Sequence, residues 1–332
     1  MTGTSTIDTN GNPKLEVLLP GWADEASRLP HPAPLIEPVE VAVGNALGFS
    51  YKRYSSIPGA LCFWNASNAD ASVPEHLVCA DPVHLIAGSD DAQLVPIERL
   101  NLTIEETGLF IAELNEALGD STGTFLHDMA GQWYYSGLIP DELDTAPTTA
   151  VAGHPMTAAL PRDNGARPWR SLWSETQMVL HGSAVNQARQ ERGEPVINSV
   201  WFWGGGAMPT AQTAESLTVN RALYTDYRFA QKLADAAGIR HFPLSACEGL
   251  NVAESGFQQH LILDRSLLHG NPDFVEQRDL GVRWCERIAE MTSALPEASA
   301  ELNGLTGCRE VFVPAAVKSP SVIKQLAKLF KR

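Results

Sequence analysis

Hydrophobic and polar positions change period several times along this chain, and each change marks an element. Residues 15–19 read as a short buried strand, and 41–49 as a short helix. The apolar run 60–64 fits helix or strand equally. Alternation at 77–79, 84–87 and 93–96 predicts an antiparallel group. Thr103 then stands three residues before Glu106 at the head of an apolar stripe of Phe110, Leu114 and Leu118, a capping box, and Gly119 stops the helix. Strands at 124–127 and 133–136 complete the group. Residues 140–167, rich in Pro, Thr, Ala and Asp, form an extended connection.

The next segment is the densest in information. Pro168 suits a first helical turn and Gly193 a stop, so 169–192 is expected to be one helix, with Leu172, Val179, Leu180 and Val185 facing inward. Asn186, Arg189 and Arg192 share a face at three-residue spacing. Residues 197–203, β-branched and aromatic, predict a strand, and Gly204, Gly205 and Gly206 follow it directly. Glycine lets backbone N–H groups come close to a phosphate or carboxylate. A plain tight turn is the competing account, since the loop carries no lysine and matches neither a Walker A sequence nor GxGxxG. Further on, a helix at 227–237 stopped by Gly238, a strand at 261–263 and a helix from about Phe274 complete the expected order.

The segment also carries a resemblance. Trp169, Arg170, Leu172, Glu175, Gln177, Met178, Leu180, His181, Val185, Asn186, Arg189, Gly193, Pro195, Asn198, Ser199, Trp201, Trp203 and the three glycines resemble the pattern of the bacterial regulatory protein family of RpfE type. Residues 80–85 and Trp133-Tyr134 extend the match. Gly182-Ser183-Ala184 departs from it where the family has a His-Pro pair. More distantly, the chain is similar to archaeal-type cofactor-independent phosphoglycerate mutases of the alkaline phosphatase superfamily. That likeness implies an α/β fold: an alkaline-phosphatase-like core sheet with helices on both faces, at 14–65 and 197–332, and an inserted α+β lobe at 66–196, after a loose tail at 1–13. In those enzymes the first strand ends on a metal-binding Asp, where this chain has Pro20. His269-Gly270-Asn271-Pro272-Asp273 is the nearest counterpart of a downstream metal motif, in scrambled order. Two catalytic ions need several converging carboxylate and imidazole ligands. The resemblance therefore implies a scaffold without catalytic residues, metal or cofactor.

The expected function is a non-catalytic regulatory or ligand-binding protein that grips an anionic, phosphorylated metabolite. The expected contacts are His181, Asn186, Arg189, Asn198, Trp203 and the Gly204–Gly206 backbone. His154 joins them, standing where the mutases place a substrate-facing loop histidine. Arg supplies forked donors to phosphate oxygens and Asn neutral ones. Two other readings compete: a metal-dependent mutase or phosphatase with rearranged ligands, and an adaptor that docks a protein partner through its terminal helix. That helix, at 319–332, places Val322, Ile323, Leu326, Leu329 and Phe330 on one stripe and ends on Lys324, Lys328, Lys331 and Arg332.

Composition narrows the partners. With 332 residues and 44% hydrophobic content the chain can bury a sizeable core. A net charge of -15 argues against nucleic acid, which is bound by clustered Lys and Arg. Five irregularly spaced cysteines suit reduced thiols in the cytoplasm. The N-terminus lacks signal-peptide character, and no window is apolar enough for a transmembrane segment. Cys247 beside His241 reads as a turn-associated thiol rather than an activated nucleophile. His76, Cys79 and His84 read as strand packing rather than a zinc set.

Overall fold

A computed structural model describes residues 13–20, 38–49, 51, 53–64, 74, 76–88, 91–119, 123–137, 143–152, 156, 159–160, 167–209, 220–265, 280, 283–284, 286–288, 290–291, 299–303 and 309–312. The fold is mixed α/β and divides into two compact units, one made of 1–30, 42–49 and 209–332, the other of 31–41 and 50–208.

The first unit is built on a six-stranded sheet. Strand β1 (Lys14–Leu18) lies at its centre, between β9 (Gln259–Leu263) and β10 (Ser299–Asn303), parallel to both. Beyond β9 come β7 (Arg221–Tyr224) and β8 (Arg240–Phe242), also parallel, and β11 (Arg309–Phe312) closes the far edge antiparallel to β10. The sheet is buried on both faces, as parallel sheets must be. On one face Leu15, Val17, Tyr224, Ile262 and Ala300 pack with Trp284, Ile288 and Met291. The alternate residues Leu18, Leu223, Leu261 and Leu263 are buried as well. Helix α7 (Arg228–Ala237) connects β7 to β8 and ends on Gly238 in the left-handed conformation, φ 67°, as expected of a C-terminal stop.

In the second unit an antiparallel sheet is organised around one long strand, β2 (Leu77–Ala87). The two alternating segments expected at 77–79 and 84–87 are continuous parts of it. Strand β5 (Trp133–Ser136) pairs with residues 77–79 of β2, β3 (Ala92–Val95) with 84–87, and β4 (Thr124–His127) with β5. Strand β6 (Ser199–Trp203) pairs with 79–83 of β2. The expected division of the chain puts it in the core sheet; it lies in the second sheet instead, because its five buried residues meet β2. Helix α3 (Ile104–Leu118) has the expected capping box at Thr103 and Glu106 and buries Phe110 and Leu114. Short helices α2 (Gly59–Phe63) and α4 (Thr148–Val151) complete this unit with the pair that follows, whereas most of α1 (Val39–Leu47) belongs to the first unit.

The single helix expected at 169–192 is two, α5 (Arg167–His181) and α6 (Ala184–Glu191). Gly182 and Ser183 separate them, and the Ser183 hydroxyl caps α6 by accepting from the Asn186 N–H at 3.2 Å. Among the described residues no helix is long and apolar enough to cross a membrane. His154, residues 269–273 and the helix expected at 319–332 lie outside the described residues.

Candidate functional site

The residues expected to form one anion grip occupy two places in the second unit, and three of them are spent on the fold. Arg189 is 0% exposed. Its Nη1 meets Glu106 Oε2 at 2.6 Å, its Nε donates to the Pro195 carbonyl at 2.9 Å, and its Nη2 donates to the Leu100 carbonyl. All three nitrogens are therefore engaged inside the chain, and the expected grip on phosphate gives way to a structural clamp. Glu106 also holds Arg192 and closes the α3 capping box, so one carboxylate ties helix start to helix end.

Asn186 and Asn198 are likewise corrected, since each pairs with backbone. Asn186 Oδ1 accepts the Ile197 N–H at 2.8 Å, while its Nδ2 donates to the Ile197 and Leu180 carbonyls. Asn198 Oδ1 accepts from the Leu85 N–H at 2.7 Å and its Nδ2 returns a bond to the Leu85 carbonyl at 2.9 Å. Its amide thus imitates one more residue of the β2–β6 ladder. Parts of both line a cleft of about 320 Å³ with exposed His181 and Gln190 and half-buried Gln177.

The glycine loop forms a second cleft, of about 300 Å³. Its wall includes Gly204, Gly205, Gly206, Trp203, Ser55, Ser56, His76 and Gly137. The three glycines answer to different demands. Gly204 has φ +73°, and a β-carbon there would lie 2.9 Å from Gly59 Cα; its carbonyl accepts from the Ala60 N–H at 2.9 Å. Gly206 donates to the Ile57 carbonyl at 3.0 Å, and a β-carbon would run into the Ser56 carbonyl. Of the three glycines, Gly205 is the one exposed. Two backbone segments far apart in sequence pass with no room for a side chain, so Gly206→Ala is expected to destabilise by about 1–3 kcal/mol. Chemical denaturation checks this; an unchanged midpoint would show that the loop can relax at no cost.

Below the loop, Trp203 Nε1 donates to Asp81 Oδ2 at 2.7 Å, and its ring meets Phe63 edge-on. Buried Asp81 also accepts from Gln132 Nε2 at 2.6 Å and Thr148 Oγ1 at 2.9 Å. These bonds anchor the end of β6 and hold the loop rigid beneath the cleft. Burial, then the nearby charge of Asp81, pushes the Cys79 thiol well up, and burial raises the Tyr134 hydroxyl.

No family model matches the chain. Over 67 residues it is 30% identical to a probable 2,3-bisphosphoglycerate-independent phosphoglycerate mutase of Geobacter sulfurreducens, a stretch that covers 20% of this chain and 17% of that protein. The chain is distantly similar to cofactor-independent phosphoglycerate mutases. The match spans far less than two thirds of that enzyme's length. Among solved structures, the PH0037 protein of Pyrococcus horikoshii aligns with a TM-score of 0.49 at 13% identity, covering 89% of this chain and 82% of that one. The cofactor-independent phosphoglycerate mutase of Thermoplasma acidophilum aligns with a TM-score of 0.38 at 13% identity, covering 88% and 86%.

The central strand β1 is followed by Leu19 and Pro20, and Leu19 is fully buried. Among the described residues no group of three or more His, Cys, Asp or Glu side chains is placed to hold a metal ion. Cys247 is buried, its thiol pushed up to about 12 by that burial, and His241 pairs with Asp235 at 3.2 Å. His84 Nδ1 lies 2.8 Å from the Val196 carbonyl.

Sequence reasoning missed Ser55 and Ser56 and read His76 as strand packing rather than a zinc ligand. No local pattern marks them, because the pairing of Ala60 with Gly204 and of Gly206 with Ile57 brings them beside the loop. The one signal near at hand is conformational: His76 has φ 52°, a left-handed backbone uncommon outside glycine.

Proposed function

We propose that the chain is a non-catalytic regulatory or ligand-binding protein that holds a small anionic, phosphorylated metabolite in the glycine-loop cleft. The observation that carries this reading is the cleft's lining. In a chain of net charge -15, the described lining has no carboxylate, and it sets the exposed Gly205 backbone beside Ser55, Ser56 and exposed His76. Backbone N–H groups, the Ser55 hydroxyl and an imidazole are the donors such an anion uses, while the Ser56 hydroxyl is already given to the Arg53 carbonyl at 2.6 Å. The left-handed conformation of His76 supports the same reading, since strained backbone gathers at ligand-contacting positions. The resemblance to RpfE-type regulatory proteins adds the regulatory half of the proposal.

Calorimetric titration with 3-phosphoglycerate and with inorganic phosphate tests it. Binding of one or both is expected, and His76→Ala should weaken it roughly tenfold, the worth of one hydrogen bond to a charged group. Equal affinity in the variant would remove the cleft from the binding site. In parallel, ³¹P NMR of 3-phosphoglycerate with the protein should stay unchanged with and without Mg²⁺ and Zn²⁺. New resonances growing with time would replace this reading with a metal-dependent mutase or phosphatase.

A further inference from the structure

Besides the glycine-loop cleft, the second unit carries another, of about 320 Å³, whose lining calls for different chemistry. Leu77 lines the first cleft and Leu85 the second, toward opposite ends of β2 and roughly 25 Å apart at about 3.3 Å per residue. A small ligand held in one does not reach the other.

The described lining of this second cleft holds no Asp, Glu, Lys or Arg side chain, so an ion entering it gives up water and gains no counter-charge. Its apolar part is aliphatic: Leu180 of α5 is buried, and Leu85 of β2 and Val196, just before β6, are half-buried. The rest of the lining consists of groups that both donate and accept. Asn198 spends one N–H and one lone pair on Leu85 and keeps one of each. Gln177 gives one N–H to Ser199 Oγ at 3.0 Å and keeps the other, with its carbonyl oxygen. Those bonds hold two carboxamides in place before any ligand arrives. His181 and Gln190 are exposed and have no hydrogen-bond partner among the described residues.

We propose that this cleft binds a neutral purine-type base with an exocyclic amino group, of the adenine class. A carboxamide sets its C=O beside its N–H and so matches an amino group next to a ring nitrogen, the bidentate pairing that Asn and Gln make with adenine. Gln190 is the free carboxamide for that edge, and Asn198 and Gln177 each keep an N–H for the remaining ring nitrogens. His181 supplies a ring for the base to stack on, and the aliphatic side chains of Leu85, Leu180 and Val196 take the rest of its uncharged surface. The volume stands at the low end of the roughly 300–1,000 Å³ of small-molecule sites, room for one ring system. A ribose attached to the base stays on the exposed side, with His181 and Gln190.

Calorimetric titration of the full chain with adenosine is the test. Uridine, which carries a carbonyl where adenosine has its amino group, and benzoate, a flat ring with a charge, are titrated beside it. Adenosine is expected to bind, with both others at least about tenfold weaker. Gln190→Ala and His181→Ala alter exposed side chains that hold no other part of the described fold, so both variants should fold as the wild type does. Gln190→Ala is expected to lose roughly tenfold in affinity for adenosine and His181→Ala about threefold. Absence of adenosine binding at millimolar concentration would overturn the proposal, as would uridine or benzoate matching adenosine. Unchanged affinity in both variants would overturn it independently, by placing the base elsewhere on the chain.

Discussion

Arg189→Ala is expected to lower the stability of the protein by about 3–5 kcal/mol, the cost of stranding the partner of a buried charge. The 2.6 Å contact with Glu106 joins α6 to the start of α3, and the bonds to Leu100 and Pro195 tie in the connections on either side. Alanine removes all of these at once and leaves a carboxylate and two carbonyls short of donors. Urea unfolding followed by tryptophan fluorescence reads the effect, since Trp133, Trp169 and Trp201 are all buried in this unit. The double variant Arg189→Met, Glu106→Gln should recover much of the loss, because it removes the stranded charge and keeps an acceptor for the helix cap. Arg192, half exposed on the other oxygen of Glu106, should matter far less. A wild-type midpoint in Arg189→Ala would refute the structural clamp and return Arg189 to the ligand question.

Acid should destabilise the first unit through one histidine. His260 is 0% exposed on β9, stacked on Tyr224, and burial pulls its pKa down from 6.5 to about 4. Ser255 Oγ donates to the Val252 carbonyl at 2.8 Å, which leaves it to accept from His260 Nε2 at 3.0 Å. The proton of the neutral ring is thereby assigned to Nε2, and Nδ1 faces the Tyr224 hydroxyl at 3.4 Å. Between pH 6.5 and 4 the unfolded chain binds a proton here that the folded chain refuses, so stability falls as pH falls through this window and levels off below it. The full loss is about 3 kcal/mol. Above pH 6.5 both states hold the ring neutral and the effect vanishes. Urea midpoints of the wild type and His260→Phe across this range isolate it, because shared carboxylate titrations cancel. Parallel pH profiles would show that His260 accepts a proton in the folded state.

Elements closed by local chemistry are legible in the sequence itself. The Thr103 and Glu106 cap, the stop at Gly238 and the strands β4 and β5 each depend on residues a few positions apart. The sheet that a strand joins depends on distant partners, and β6 shows the limit: its five residues are buried on both sides, so no polar face signals a neighbour. Strands β7, β8, β10 and β11 run only three to five residues, too short for a period to stand out. In the candidate site, residue type misleads in an instructive way. Asn and Arg beside a glycine loop suit an anion, yet the same donors satisfy buried carbonyls, and only burial separates the two uses. The close packing at Gly204 and Gly206 is equally invisible in the sequence, because what fills the space is backbone from 56–59.

The place of β1 sets a timetable for synthesis. Both of its edges are filled by strands from the far end of the chain, at 259–263 and 299–303. About 240 residues must follow β1 from the ribosome before its first partner exists, on the order of 10–50 s at ordinary elongation rates. Through that interval an apolar strand with two open edges waits unpaired, while every strand of the second sheet, complete by Trp203, has already been made. The nascent chain is therefore most exposed to aggregation, and most in need of a chaperone, at its beginning, and the second unit is placed to fold first.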